Sequence, residues 1–246
     1  LKSQNLITND RITGFLQDAL SFGNERHEMK VTLGLRSSYR SISDELLLSP
    51  RVQLYYKPLM WKSDISFKIA GGIYNQAPLY REMRRPDGSI NTQLKSQKST
   101  QVVAGLSYDF TWEKISNRPF RIISEIYYKK LEDMVSYEVD NVRIRYAGEN
   151  NSTGYIMGWD FRINGEFVPG AESWINLSFL SAREALNGVN HLRYEKIDSV
   201  NQQVIVSTVP RPTDQLMTLN MFFQAYLPKN ENVKVNFNFS IGTGLP

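Results

Sequence analysis

Hydrophobic and polar side chains alternate along much of this chain, most plainly between residues 233 and 241. The apolar positions are Val233, Val235, Phe237, Phe239 and Ile241, and the polar positions are Lys234, Asn236, Asn238 and Ser240. Successive side chains of a strand point to opposite faces, so this stretch is predicted to be a β-strand with one apolar and one polar face. Strands of soluble sandwiches and of transmembrane barrels both have this pattern.

The same alternation recurs along the sequence and predicts about ten strands. Their approximate ranges are 11–22, 29–38, 51–57, 65–76, 101–110, 120–137, 155–163, 174–182, 217–223 and 233–241. Lys30 and Arg36 occupy the polar side of the second strand. Burying lysine or arginine in a protein core is unfavourable, so that side is expected to contact water.

The predicted connections alternate between short turns and longer loops. The short turns lie near 22–28, 58–63, 112–119, 168–172 and 227–232, and the longer loops near 41–49, 77–100, 147–152 and 183–213. The last loop is expected to contain a small hairpin around 204–206. Short turns at one end and long loops at the other are typical of outer-membrane barrels.

Aromatic residues near the predicted strand ends are expected to form interfacial girdles, as in membrane barrels. The set on the short-turn side is Tyr55, Trp61, Trp112, Trp174 and Tyr226, and the set on the long-loop side is Tyr39, Tyr74 and Tyr137.

Composition narrows the protein class only a little. The chain has 246 residues, of which 41% are hydrophobic and 22% charged, as in ordinary folded proteins. No window approaches 18 consecutive apolar residues, which excludes a transmembrane helix. The net charge of +4 is mild and its basic residues are dispersed, so no nucleic-acid partner is expected. Because it starts at Leu1 without a leader and stops after a strand, the chain is predicted to be an internal piece of a longer protein.

Several segments resemble motifs of TonB-dependent receptors. They are SPRVQLYYKP at 49–58, GGIYNQAP at 71–78, NTQLKSQKS at 91–99, RITGFLQD at 11–18 and GWD at 158–160. Ser96 and Gln97 depart from the Pro-Glu that is usual in the third motif. The order and spacing match over essentially the whole chain, which most resembles receptors of the Bacteroidetes type.

This resemblance implies an all-β fold, an antiparallel transmembrane β-barrel of about 22 strands that is wide enough to hold a plug. Residues 1–246 are then about ten consecutive strands of that one barrel domain, located in the bacterial outer membrane. The plug, the TonB box and the terminal strands are absent from this sequence, so the fragment alone is expected neither to close nor to transport. The implied partners are outer-membrane lipid and lipopolysaccharide, the protein's own plug, the TonB complex through the N-terminal region, and a surface lipoprotein.

Candidate ligand-binding residues lie in two of the predicted loops. The loop at 77–100 carries Tyr80, Arg81, Arg84 and Arg85, whose guanidinium groups suit a carboxylate or phosphate ligand. They are equally suited to contact lipopolysaccharide or to keep the loop soluble. The weaker second set is Arg183, His191, Arg193 and Tyr194. The predicted lumen-facing residues Lys68, Glu125, Lys129, Asp160 and Arg162 are expected to pair across strands or to touch the plug.

Catalytic chemistry has little support in the sequence. His27 and His191 are the only histidines and lie far apart, so neither a catalytic histidine nor a metal cluster is predicted. Glu132 and Asp133 are most simply a solvated strand end. The chain is therefore expected not to be an enzyme and to need no cofactor.

Three functions remain open from the sequence. The first is TonB-dependent uptake of a scarce nutrient through the outer membrane. The second is a barrel of the same fold that serves as a structural or assembly subunit of an outer-membrane complex without TonB coupling. The third is a soluble secreted β protein.

Overall fold

The structure is a computed structural model that describes residues 7–141, 143–168, 170–197, 200–227 and 230–245. All of its regular elements are β-strands. Within the described ranges, no helix is long and apolar enough to cross a membrane.

The strands form one large antiparallel sheet and a separate hairpin. Their bounds are β1 Arg11–Gly23, β2 His27–Arg40, β3 Glu45–Pro58, β4 Asp64–Gln76, β5 Gln97–Thr111, β6 Pro119–Asp140, β7 Arg143–Val168, β8 Ala171–Leu186, β9 His191–Ile197, β10 Val200–Val206, β11 Val209–Pro210, β12 Met217–Leu227 and β13 Asn230–Gly242. The main path runs β1-β2-β3-β4-β5-β6-β7-β8-β12-β13, β11 pairs with β8, and β9 pairs with β10. The predicted all-β, antiparallel class and the hairpin around 204–206 are confirmed.

The register between neighbouring strands places their apolar side chains on the same side of the sheet. Residues directly opposite in an antiparallel pair share a face, and the pairs Leu33↔Val52, Phe67↔Leu106 and Ile126↔Trp159 show this alignment. We call this side the apolar face; it includes Leu33, Val52, Phe67, Leu106, Ile126, Trp159, Phe179, Leu219 and Phe237. Phe237 is 57% exposed and Ile126 is 59% exposed, so the face is open to the surroundings of the sheet.

The opposite side, the polar face, carries an equally continuous row. It runs through Lys30, Tyr55, Lys68, Gly105, Glu125, Asp160, Ser178 and Thr218, each directly opposite the next. The two faces therefore differ in polarity from β2 to β12.

The sheet has two free edges within the described residues. β1 pairs only with β2, and β13 pairs only with β12. Both edge strands thus present unpaired backbone groups, which further strands of a longer chain can pair with.

Two of the predicted loops are wrong. β3 begins at Glu45, because Leu46 and Leu48 continue the alternation and lie opposite Tyr39 and Ser37, so the connection there spans only residues 41–44. The bend expected at 147–152 lies inside β7, and the chain reverses between Asp140 and Arg143 instead. The two connections that remain long at this end of the sheet span residues 77–96 and 187–216.

The polar side chains at 150–151 misled the prediction, because they bond to other segments rather than forming a turn. The side-chain amide of Asn150 donates to the Asp133 carbonyl at 2.6 Å, and the Ser136 backbone amide donates to Asn151 Oδ1 at 3.1 Å. Shifts of register between Leu131 and Tyr137 let the paired strands continue past this point.

Two aromatic residues of the predicted girdle do not lie on the apolar face. Tyr55 lies opposite Lys68, and Tyr226 opposite Lys234, both on the polar face. At the short-turn end the aromatic cluster is instead centred on Phe120, which is fully buried. Its ring lies 5.8 Å from Phe110, 5.9 Å from Trp112 and 5.2 Å from Phe167. Gly165 makes room for this ring, because a Cβ there would overlap Phe120 Cδ1.

Candidate functional site

Residues 77–96 form a long connection between β4 and β5, which we call the arginine loop. The apolar side chains of Met83 and Leu94 in this loop are almost completely buried and pack with Val135 of β6. Ile42, Ile90 and Tyr146 surround this small core. Burial of apolar side chains favours a single conformation, so the loop is held against the β6–β7 hairpin.

Hydrogen bonds fix the loop to the far end of that hairpin. We call residues 134–141 and 143–151 the hairpin tip. The side-chain amide of Asn91 donates to the Gly148 carbonyl at 2.8 Å. The Lys95 backbone amide donates to Asn150 Oδ1 at 2.8 Å, and Asn150 Nδ2 donates back to the Lys95 carbonyl at 3.1 Å. These bonds satisfy backbone groups that a packed loop would otherwise leave without partners.

Glu45 fastens the other end of the arginine loop. Its carboxylate accepts hydrogen bonds from the Ser96 amide, at 3.1 and 3.2 Å, and from the Ser96 hydroxyl at 2.9 Å. Ser43 donates a further bond of 2.9 Å to the same carboxylate. Ser96 therefore has a specific role in this chain, because it ties the end of the loop to Glu45.

A turn at the tip of the arginine loop is fixed by Asp87. The Ser89 amide donates to Asp87 Oδ1 at 2.8 Å, and the hydroxyl and amide of Ser89 hold the pKa of Asp87 below its ordinary value. Gly88 supplies the positive φ of 89° that the turn needs.

A cleft of about 1170 Å³ lies between the arginine loop and the hairpin tip. It is lined by Ile7, Tyr80, Arg81, Arg84, Arg85, Pro86, Ile90, Ser136, Tyr137, Glu138, Ile144, Arg145, Tyr146, Ala147, Asn151 and Leu186. All four residues of the first predicted ligand-binding set are therefore brought together in one cleft. Whether they bind a ligand stays a prediction.

The arginines of the cleft are arranged by contacts with both walls. The Arg81 guanidinium lies over the Tyr146 ring, 5.5 Å from its centre. Arg85 Nε is 3.4 Å from a Glu149 oxygen, and Arg145 is 2.5 Å from an Asp140 oxygen. Arg84 pairs with Ile90 through the backbone, which closes the loop into a small hairpin.

The second predicted set is not part of this cleft. Arg193 and Tyr194 lie in β9, where they are exposed, and their side chains contact Glu195 and Gln203 respectively. His191 is largely buried and its Nε2 accepts a 3.0 Å hydrogen bond from the Leu186 amide. Arg183 is 3.9 Å from Asp214.

The five residues predicted to face a lumen all belong to the polar face by register. Lys68 Nζ is 2.8 Å from Glu125 Oε1, which is the expected pairing across strands. Lys129 lies over the Tyr127 ring at 5.0 Å, and Arg162 lies over Trp174 at 5.2 Å. Asp160 is directly opposite Glu125. That this face borders a lumen stays a prediction.

The sequence prediction missed the second wall of the cleft. Tyr137, Arg145 and Tyr146 line it, and the Tyr137 and Tyr146 rings lie 5.8 Å apart. The signal that could have found it is extended alternation on both sides of the reversal, since Tyr137↔Tyr146 and Glu138↔Arg145 are directly opposite pairs in the structure.

No family model and no curated protein sequence matches the chain. The fold is similar to that of the copper transporter OprC. That solved structure matches with a TM-score of 0.53 and 15% sequence identity, over 88% of this chain and 33% of that chain. This chain thus spans about a third of the length of the protein it matches, and at this identity the likeness concerns the fold alone.

Residues that favour a metal ion are not gathered in the cleft. Its described lining contains neither histidine nor methionine, and the chain has no cysteine. Across the described ranges, no group of three or more His, Cys, Asp or Glu side chains could hold a metal ion.

Proposed function

We propose that this chain is part of a TonB-dependent transporter barrel in the bacterial outer membrane, and that its cleft captures the nutrient to be imported. The observation that carries the proposal is the placement of an arginine-lined cleft at the long-loop end of a sheet with one apolar and one polar face. The fold likeness to a copper transporter supports transport as the general activity.

The two faces of the sheet support a membrane location. In a transmembrane barrel, outward side chains contact lipid and inward side chains contact water or a plug. The exposed apolar face, with side chains such as Phe237 and Ile126, is suited to lipid. The polar face is suited to a wet interior, where Lys68 and Glu125 neutralise each other.

The arginine loop supports capture at the outer end of the barrel. Because Met83, Leu94 and Glu45 hold the loop in place, the cleft is preformed, and little ordering is needed when a ligand enters. In the proposed transporter, import past this point depends on a plug and a TonB box.

The decisive experiment measures uptake by the full-length parent protein in cells with and without TonB and with and without a proton gradient. A panel of radiolabelled nutrients, including copper(II), small anions and neutral glycans, is offered to each strain. We expect uptake of one nutrient that is lost when either TonB or the gradient is removed. The proposal would be overturned if none of the nutrients is taken up and the outer membrane fails to assemble without the protein. That result would favour a structural subunit.

A further inference from the structure

Arginines outnumber carboxylates in the lining of the cleft. Four arginines, Arg81, Arg84, Arg85 and Arg145, line it, against a single carboxylate, Glu138. Glu149 and Asp140 lie beside Arg85 and Arg145 at the margin. Among the described residues no carboxylate forms a salt bridge with Arg81, whose guanidinium is held over the Tyr146 ring instead. A guanidinium that contacts an aromatic face can still donate hydrogen bonds to a ligand from the N–H groups in its own plane.

The size of the cleft suits a ligand larger than a single inorganic ion. Pockets for drug-sized ligands measure about 300–1,000 Å³, and this cleft of about 1170 Å³ is slightly larger than that. A single phosphate or a bare metal ion would leave most of it filled with water. The ligand that fits has a body as well as charged groups.

The side chains that line the cleft are also poorly suited to bind a bare copper ion. Copper favours thiolate, thioether or imidazole ligands, none of which the described lining contains. The excess of arginine over carboxylate in the lining disfavours a cation. The cleft therefore differs in chemistry from what the name of its structural neighbour would imply.

From the charge, the size and the side chains, we infer that the cleft binds an organic polyanion bearing two or more carboxylate or phosphate groups. Arginine recognises both groups through paired N–H donors. The three tyrosines Tyr80, Tyr137 and Tyr146 and the apolar Ile90 and Ile144 provide surface for the body of the molecule. This inference rests on the proposed function, since it names the ligand class of the same cleft.

Binding of two probe anions tests the inference without transport. Citrate carries three carboxylates, and inorganic pyrophosphate carries two linked phosphates. Binding of each to the purified full-length protein in detergent is measured by calorimetry, with maltotriose as a neutral probe and copper(II) as a cation. We expect one or both anions to bind and the neutral and cationic probes not to bind in the cleft. The stronger anion identifies the preferred acidic group.

Arginine substitutions locate the binding. Arg81→Gln and Arg84→Gln are each expected to weaken binding of the anion about tenfold, equivalent to about 1.4 kcal/mol. Arg26→Gln, which changes an exposed arginine at the opposite end of the sheet, is the matched control and should leave affinity unchanged. Raising the salt concentration should weaken the wild-type interaction and have less effect on the two cleft variants.

The outcomes separate this inference from the proposed function. Binding of neither anion, or equal loss in all three variants, overturns the polyanion inference even when TonB-dependent uptake of another nutrient is found. Anion binding that depends on Arg81 and Arg84 supports the inference, even when uptake proves independent of TonB and the transport proposal fails. Binding of copper(II) that survives both substitutions also counts against the polyanion.

Discussion

Lys68 of β4 and Glu125 of β6 form a salt bridge of 2.8 Å across the whole width of β5. The residue of β5 between them is Gly105, which lies directly opposite both. A Cβ at this glycine would lie 3.0 Å from Glu125 Cγ and 3.2 Å from its Oε1. The absence of a side chain on the middle strand is what allows residues of two non-adjacent strands to meet.

Gly105→Val is therefore expected to separate Lys68 from Glu125. Both side chains are partly exposed, so their interaction is worth about 0.2–1 kcal/mol. The coupling free energy between Lys68→Gln and Glu125→Gln is obtained from urea unfolding of the full-length protein in lipid vesicles. We expect a favourable coupling in the wild-type background and essentially none in the Gly105→Val background. A coupling of equal size in both backgrounds would show that the glycine is not needed for the pair.

Adjacent residues on the two faces of β13 allow a matched pair of arginine substitutions. Phe237 lies opposite Phe223 on the apolar face, and Asn238 lies opposite Phe222 on the polar face. If the apolar face contacts lipid, Phe237→Arg should destabilise the full-length barrel by about 2–4 kcal/mol near the bilayer midplane. Asn238→Arg should have a much smaller effect. Unfolding free energies that fall equally for both variants would contradict the assignment of the faces.

The buried anchor of the arginine loop gives a third prediction. Met83→Ala removes a fully buried side chain and is expected to destabilise the docked loop by about 2–5 kcal/mol. Opening of the loop exposes the bonds after Arg81 and Arg84, so limited trypsin digestion of the folded protein should cut there faster. Leu79→Ala is the control, because Leu79 is already exposed. Cleavage at the same rate in all three proteins would mean that Met83 does not hold the loop.

The hydrogen bonds of Glu166 predict that the turn between β7 and β8 is less stable at low pH. Its carboxylate accepts hydrogen bonds from the Ser116 hydroxyl and, at 2.5 Å, from the Gly170 amide. These bonds, the Ser116 bond foremost, lower the pKa of Glu166 below its ordinary value of 4.5. A lowered pKa means that the stabilisation is present above the ordinary value and is lost as the pH falls through the folded-state value.

Hydrogen exchange of the Gly170 amide measures this effect. Its protection factor should fall as the pH is lowered below the ordinary pKa of a glutamate, since the protonated carboxyl accepts the Gly170 bond less strongly. In Glu166→Gln, protection should be lower at neutral pH and should change little with acidification. Protection in the wild type that stays constant throughout acidification would contradict the prediction.

Local alternation is why much of the fold was predictable. In the stretch from Val233 to Ile241 and in the strand around Leu33, a few residues are enough to show which side is apolar and which is polar. This is because the side-chain period of a strand is two. The small hairpin at 204–206 was visible for the same reason. Polar residues at strand ends gave a weaker signal, since a side chain such as Asn150 forms equally good hydrogen bonds in a turn or with a neighbouring segment.

The amino-acid sequence alone was enough to show that the fold is built of β-strands and which positions of many strands are apolar or polar. It also placed Tyr80, Arg81 and their two neighbouring arginines in one segment. The folded arrangement was needed to show that β7 continues through Asn150 and that Tyr146 belongs to the opposite wall of the cleft. The difference arises because alternation is set by neighbours along the chain. A cleft depends instead on register and on buried contacts, such as that of Met83 with Val135, between residues far apart in sequence.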